Sequence, residues 1–105
     1  MNLNSLVFTI GEGATVPLLT VAPSKEISIR GIRITTIDGC YGDLITTDPE
    51  NNSHTLSFSI GPNDYVNLNK RKLLLPTGYT VVVKSVDGEF NISLNYVEFD
   101  SLPIG

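Results

Sequence analysis

The sequence predicts an all-β protein, an antiparallel β-sandwich or jelly-roll-like barrel of about seven or eight short strands. Three observations predict it. Val, Ile, Thr, Tyr and Phe make up 37 of the 105 residues, whereas Ala occurs only 2 times, a balance that favours pleated over helical backbone. Apolar residues recur with a period of two in one run after another. Clusters of Gly, Pro, Asn and Asp separate those runs at spacings of about 8–12 residues. At this length one domain is expected over residues 1–105, with short arms at 1–5 and 100–105.

Leu6, Phe8 and Ile10 alternate with Val7 and Thr9 as a first strand that ends at the turn Gly11-Glu12-Gly13. Thr15 to Val21 could be a short strand, which Pro17, lacking an N–H, demotes to an edge or an irregular arm. Pro23 sets φ for the tight connection before Lys25. From Glu26 to Ile37, Ile27 and Ile29 share a face with Ile32 and Ile34 only if one residue is absorbed at Arg30-Gly31, so a β-bulge is expected there. Asp38-Gly39 stops that strand, Cys40 to Asp43 reads as turn-rich, and Leu44 to Thr47 is extended again.

Asp48 to Ser53 is the most polar stretch and reads as an exposed loop. His54 to Ile60 then turns Leu56, Phe58 and Ile60 inward and Thr55, Ser57 and Ser59 outward before the turn at Gly61-Pro62-Asn63-Asp64. A short strand from Tyr65, the basic cluster Lys70-Arg71-Lys72 and a turn at Pro76-Thr77-Gly78 follow. Tyr79 to Val86 and Phe90 to Tyr96 flank Asp87-Gly88, the strongest hairpin signal in the chain. The phase of the alternation changes at Val97, as a second bulge or a strand end would require, and an arm follows from Asp100.

Charge and composition exclude several function classes. Eleven acidic against seven basic residues give a net charge of −4, with no long basic stripe for a phosphate backbone, so nucleic acid is not an expected partner. The longest wholly apolar runs, three residues each as in Leu73-Leu74-Leu75 and Val81-Val82-Val83, fall far short of the roughly 20 residues that span a bilayer. Nothing near Met1 resembles a signal peptide, and the sequons at Asn51 and Asn91 are read as incidental. Cys40 is the sole cysteine and cannot form an internal disulfide.

No residue constellation calls for catalysis. His54 is the only histidine and has no second His or Cys at ligand spacing, so no metal is expected. Cys40 lacks a flanking cation and reads as a small buried hydrophobe. The carboxylate pairs Asp48/Glu50 and Glu98/Asp100, two apart, would share a strand face as a glycosidase pair must, yet no base with an orienting partner accompanies them. We therefore expect no enzyme, no cofactor and no small-molecule substrate. Five cations remain as candidates for a protein interface: the outward Arg30 and Arg33, and Lys70, Arg71 and Lys72, whose charges suit an acidic docking surface. Tyr41, Tyr65, Tyr79 and Tyr96 could form a sugar-stacking platform, but in a chain without Trp they read rather as core residues with the hydroxyl at the edge.

The order of motifs carries a resemblance. Val16 to Lys25 (VPLLTVAPSK) followed by Ile27 to Thr35 (ISIRGIRIT), the turn Leu73 to Tyr79 (LLLPTGY) and the close Ser93 to Phe99 (SLNYVEF) together resemble the small β-sandwich virion proteins of tailed bacteriophages, of the capsid decoration or cement type. Two positions depart from that pattern: Ser24 stands where relatives often carry Gly, and Thr77-Gly78-Tyr79 lacks their Asp. The resemblance implies a structural protein made in the host cytoplasm and carried on the capsid exterior. Its partners would be major capsid protein and copies of itself, with trimers favoured. The alternative is a neck- or tail-associated, receptor- or carbohydrate-binding module.

Overall fold

The computed structural model describes residues 3–68 and 73–101, and these contain nine strands and no helix. They are β1 (Leu3–Ile10), β2 (Thr15–Thr20), β3 (Lys25–Thr36), β4 (Cys40–Thr47), β5 (Ser53–Ile60), β6 (Asp64–Asn67), β7 (Leu73–Leu75), β8 (Thr80–Asp87) and β9 (Phe90–Asp100). All pairings are antiparallel. One sheet runs β1-β9-β3-β6, with β7 also on β3, and the other runs β2-β8-β4-β5. With β6 and β7 sharing one place, this is the strand order of a jelly roll, in which successive strands cross repeatedly between two packed sheets.

Alternation explains why these segments pair this way. Ile27, Ile29, Ile32 and Ile34 of β3 are all buried, and Phe90, Ile92 and Leu94 of β9 lie beside them on the same inner face. Val81, Val83 and Ser85 line the inner face of β8. The ring of Phe58 meets that of Phe90 edge to face, with centroids 5.2 Å apart, so β5 is tied to β9 through the core. Full burial of each such side chain contributes roughly 1.5–3 kcal/mol. The expected bulge is present: the register of β3 against β9 slips between Ile29 and Gly31. Pro17 lies in an edge strand, as expected, and that strand slips register beside it.

Four expectations are corrected. Asp87-Gly88 is not a hairpin, because β8 and β9 lie in different sheets and each already has a strand on both sides. Cys40 to Asp43 is strand, not turn. Gly42 is there because the Phe58 ring and the Lys84 carbonyl occupy the space a Cβ would need, at 2.7 and 2.6 Å. Val97 marks neither a bulge nor an end, since β9 runs on to Asp100. Val97 turns outward into a row across four strands, Leu3–Val97–Ser28–Leu74, in which it is only 6% exposed. Leu3 to Ser5, expected in an arm, begin β1 on β9, and Asp100 ends β9 against Lys25.

The crossings are made by tight arches. Asp38-Gly39 carries the chain from β3 to β4 and Gly88-Glu89 from β8 to β9. The two arches touch: a Cβ on Gly88, at φ +77°, would sit 2.2 Å from the Gly39 carbonyl oxygen. Thr36 Oγ1 donates to the Glu89 carbonyl (3.0 Å) and accepts the Gly39 N–H (3.1 Å), and Ser85 Oγ donates to the Gly88 carbonyl. Ser24 takes φ 62° in the turn closed by Lys25 N–H on Ala22 O, a backbone conformation that glycine adopts without steric cost. Gly88→Ala is expected to destabilise the fold by about 2–4 kcal/mol. Gly11→Ala, where a Cβ meets nothing, should change stability by no more than ~0.5 kcal/mol; equal midpoints for the two variants in urea unfolding would refute the contact.

Candidate functional site

The sequence singles out cations, and the structure separates them. Arg33 projects from the outer face of β3, its guanidinium carbon 4.4 Å from the centre of the Tyr65 ring. Register places Tyr65 opposite Thr35 and Asn67 opposite Arg33. Stacking holds a planar fork of donors in one orientation at an exposed position, which suits recognition of a carboxylate or an amide edge. Arg30 is the residue absorbed in the bulge and stands at the rim of a groove instead. The two arginines thus serve different surfaces. Lys70, Arg71 and Lys72 lie outside the described residues, between Leu68 and Leu73.

Around Arg33 the outer face of the five-stranded sheet is largely polar. Ser5 Oγ donates to Asn95 Oδ1 (2.8 Å) and Thr9 Oγ1 to Asn91 Oδ1 (2.7 Å), fixing both asparagines across β1 and β9. Val7, strongly exposed, lies between them, opposite Ser93, which in turn faces Arg33. The face presents hydrogen-bonding groups in register with exposed apolar side chains, Val7 here and Leu3 and Leu74 farther along, the composition of a docking surface.

A second feature was not anticipated from the sequence. Beside β3, an apolar groove of about 570 Å³ opens between the sheets, with Ile29, Ile32, Leu44, Leu56, Leu68 and Leu73 among its lining. Its walls come from β3, β4, β5 and the two short strands, so no local run of sequence announces it. The clue lies in Leu56, inward by alternation yet 50% exposed, because among the described residues no strand of the opposite sheet covers the first half of β5.

The remaining polar groups are engaged in holding loops and strand ends. Asp48 Oδ1 accepts the Glu50 and Asn52 N–H groups, each at 2.9 Å, and Oδ2 accepts Asn52 Nδ2. These bonds, led by the Asn52 N–H, hold the Asp48 carboxyl below the usual range, so it is a loop staple rather than half of an acid pair. Asp100 is likewise lowered by its hydrogen bond and ion pair with Lys25, whose own value is raised. Burial pushes the Cys40 thiol up, against a weaker opposing bond with Thr36. The tyrosines do not converge: Tyr41 and Tyr65 are exposed on opposite sheets, while Tyr79 and Tyr96 pack against the core. Among the described residues no group of three or more His, Cys, Asp or Glu is placed to hold a metal ion.

No protein-family model matches the chain, and no curated protein matches it significantly.

The Lys25–Asp100 pair fixes the pH behaviour of the end of β9. Because the Asp100 value is depressed by folding, its contribution is present above the ordinary Asp range and is lost as pH falls through the depressed value. Because the Lys25 value is raised, its contribution is present at lower pH and is lost as pH rises through the raised value. In an NMR titration the Asp100 carboxyl carbon is expected to shift at a midpoint below the usual Asp range, and Lys25→Met should move that midpoint up. An unchanged midpoint would show the pair is not formed in solution.

Proposed function

We propose that the chain is a structural attachment protein that works by docking, without chemistry, and that it decorates the exterior of a tailed-phage capsid by binding major capsid protein. The strand order is compatible with this reading, and the motif resemblance carries it. A jelly roll is an architecture of virion components and of lectins alike, and fold does not decide between such uses. What favours the virion use is the resemblance of residues 16–35, 73–79 and 93–99 to decoration proteins. The outer face centred on Arg33 supplies the docking surface. Its pre-oriented guanidinium suits an acidic partner, and electrostatic complementarity there speeds encounter and sets register.

The second reading is a receptor- or glycan-binding module on the neck or tail. It draws on the same fold and on the Arg33–Tyr65 pair, since a cation stacked on an aromatic ring offers both a platform and donors to a sugar.

Quantitative mass spectrometry of purified particles, calibrated against the major capsid protein, separates these readings. Decoration requires a copy number comparable with that of the capsid protein, a small fixed number moves the chain to the neck or tail, and absence rejects both. Arg33→Ala is expected to weaken binding to heads about tenfold in co-sedimentation. The fold should lose no more than ~1 kcal/mol, the scale of an exposed cation–π contact.

A further inference from the structure

The two asparagines beside Arg33 are each held in one orientation. Ser5 Oγ donates to Asn95 Oδ1 at 2.8 Å and Thr9 Oγ1 donates to Asn91 Oδ1 at 2.7 Å, so both side-chain carbonyls face β1. An amide is planar with its nitrogen opposite its oxygen, so each Nδ2 turns its two donors away from β1. Both asparagines are exposed, and neither Nδ2 meets an acceptor among the described residues. Arg33 is alike: its guanidinium rests on Tyr65 without a carboxylate, since the one ion pair among the described residues joins Lys25 to Asp100.

Register sets these donors out at even intervals. Asn91 and Asn95 are four residues apart on β9, about 13–14 Å in extended backbone, and Ser93 midway between them faces Arg33 on β3. The strands that carry them hold no Asp or Glu from Leu3 to Ile10, from Ile27 to Thr36 or from Phe90 to Val97. In a chain of net charge −4, the middle of this face therefore offers the charge of Arg33 and directed N–H groups, with no carboxylate of its own to compete for them.

We infer that the occupant of this face is an extended, carboxylate-bearing segment of the partner protein, laid along β9, and that Asn91 and Asn95 set its specificity together with Arg33. The inference rests on the reading of this face as the docking surface and adds the chemistry of the partner. Same-side residues of an extended segment repeat every ~6.8 Å. Of three in succession, the outer two meet Asn91 and Asn95 and the middle one stands over Ser93, beside Arg33. Carboxylates present only acceptors, which suits donors left without one, and hydrogen bonds with one charged partner are the stronger kind. A basic segment would leave both amides unpaired and oppose Arg33. Tyr65, the aromatic ring of these rows, already has the guanidinium against it, which favours a carboxylate over a stacked sugar. Ser5 and Thr9 are positioning residues, acting through the amides they orient.

Titration of the full chain, followed through its side-chain amide resonances, tests this. The probe is a peptide of about ten residues alternating threonine and glutamate, with a glutamine counterpart of equal length. The glutamate peptide is expected to shift the Asn91 and Asn95 Nδ2 signals saturably, and the glutamine peptide to bind at least about tenfold more weakly. Asn91→Asp and Asn95→Asp keep an oxygen to accept the Thr9 and Ser5 hydroxyls, so the midpoint of urea unfolding should hold. Each replaces a donor by a negative charge and should weaken glutamate-peptide binding about tenfold or more. No saturable shift up to about 5 mM, equal affinity for the two peptides, shifts centred elsewhere, or indifference to both aspartate variants would overturn the inference. Uptake of oligogalacturonate without the glutamate peptide would make an acidic sugar the ligand and overturn it equally. Co-sedimentation with heads separates this from the docking reading. If Arg33→Ala loses heads while both aspartate variants retain them, docking stands and the inference falls. If Arg33→Ala retains them, docking through this face falls, and the peptide titration alone decides the inference.

Discussion

The contact on which the rest of the architecture depends is the one between the two arches, Gly88 against the backbone of Gly39. Both arches must turn the chain from one sheet to the other within two or three residues, and they do so side by side at one end of the sandwich. The absence of a side chain at Gly88 lets the backbones touch, and Thr36 and Ser85 satisfy the carbonyls and N–H that the tight turns leave over. Buried hydroxyls with no partner would each cost about 1–3 kcal/mol; here they are the stitching. Once the arches are set, β3 and β9 are placed in one sheet and β4 and β8 in the other, which fixes the middle of both layers.

From that frame the two surfaces follow. The long central pair β3 and β9 gives the five-stranded sheet a broad outer face on which Arg33, Asn91 and Asn95 are held in register. The bulge at Arg30 has a second effect. It divides the described partners of β3 into β6 on one side of the slip and β7 on the other, and Leu68 and Leu73, next to those two strands, line the groove. The same irregularity that keeps four isoleucines on one face therefore opens the core at one corner.

Much of this was legible in the sequence. The alternation in β1, β3, β5, β8 and β9, the bulge at Arg30-Gly31 and the edge position of Pro17 all follow from local period and proline chemistry. What was not legible depended on partners distant in the chain. Asp87-Gly88 has ideal hairpin chemistry, but β8 and β9 each had both edges taken, so a crossing displaced the local preference. Cys40 to Asp43 looked like a turn because Gly42 is read as a breaker, whereas it is a seat for Phe58. At Val97 the alternation did not fail; the outer face simply carries an apolar row there. Arg30 and Arg33 looked like a pair by spacing, and the absorbed residue sends them to different surfaces. The Lys70, Arg71 and Lys72 cluster lies outside the described residues, and the tyrosines proved to be scattered because two of them are needed by the core.

The place of β9 in the five-stranded sheet has a consequence for how the protein is made. β9 lies between β1 and β3, so the first strand has no neighbour to hydrogen-bond until the last strand has left the ribosome. Every strand of the other sheet, from β2 to β8, is already available by residue 87. During synthesis β1 must wait through nearly the whole chain with an uncharged, partly apolar surface exposed, and contacts of such long sequence separation are slow to close. The order of translation thus makes the four-stranded layer the template and β9 the closing element, and a chain stalled before Phe90 has no way to shelter its own N-terminal strand.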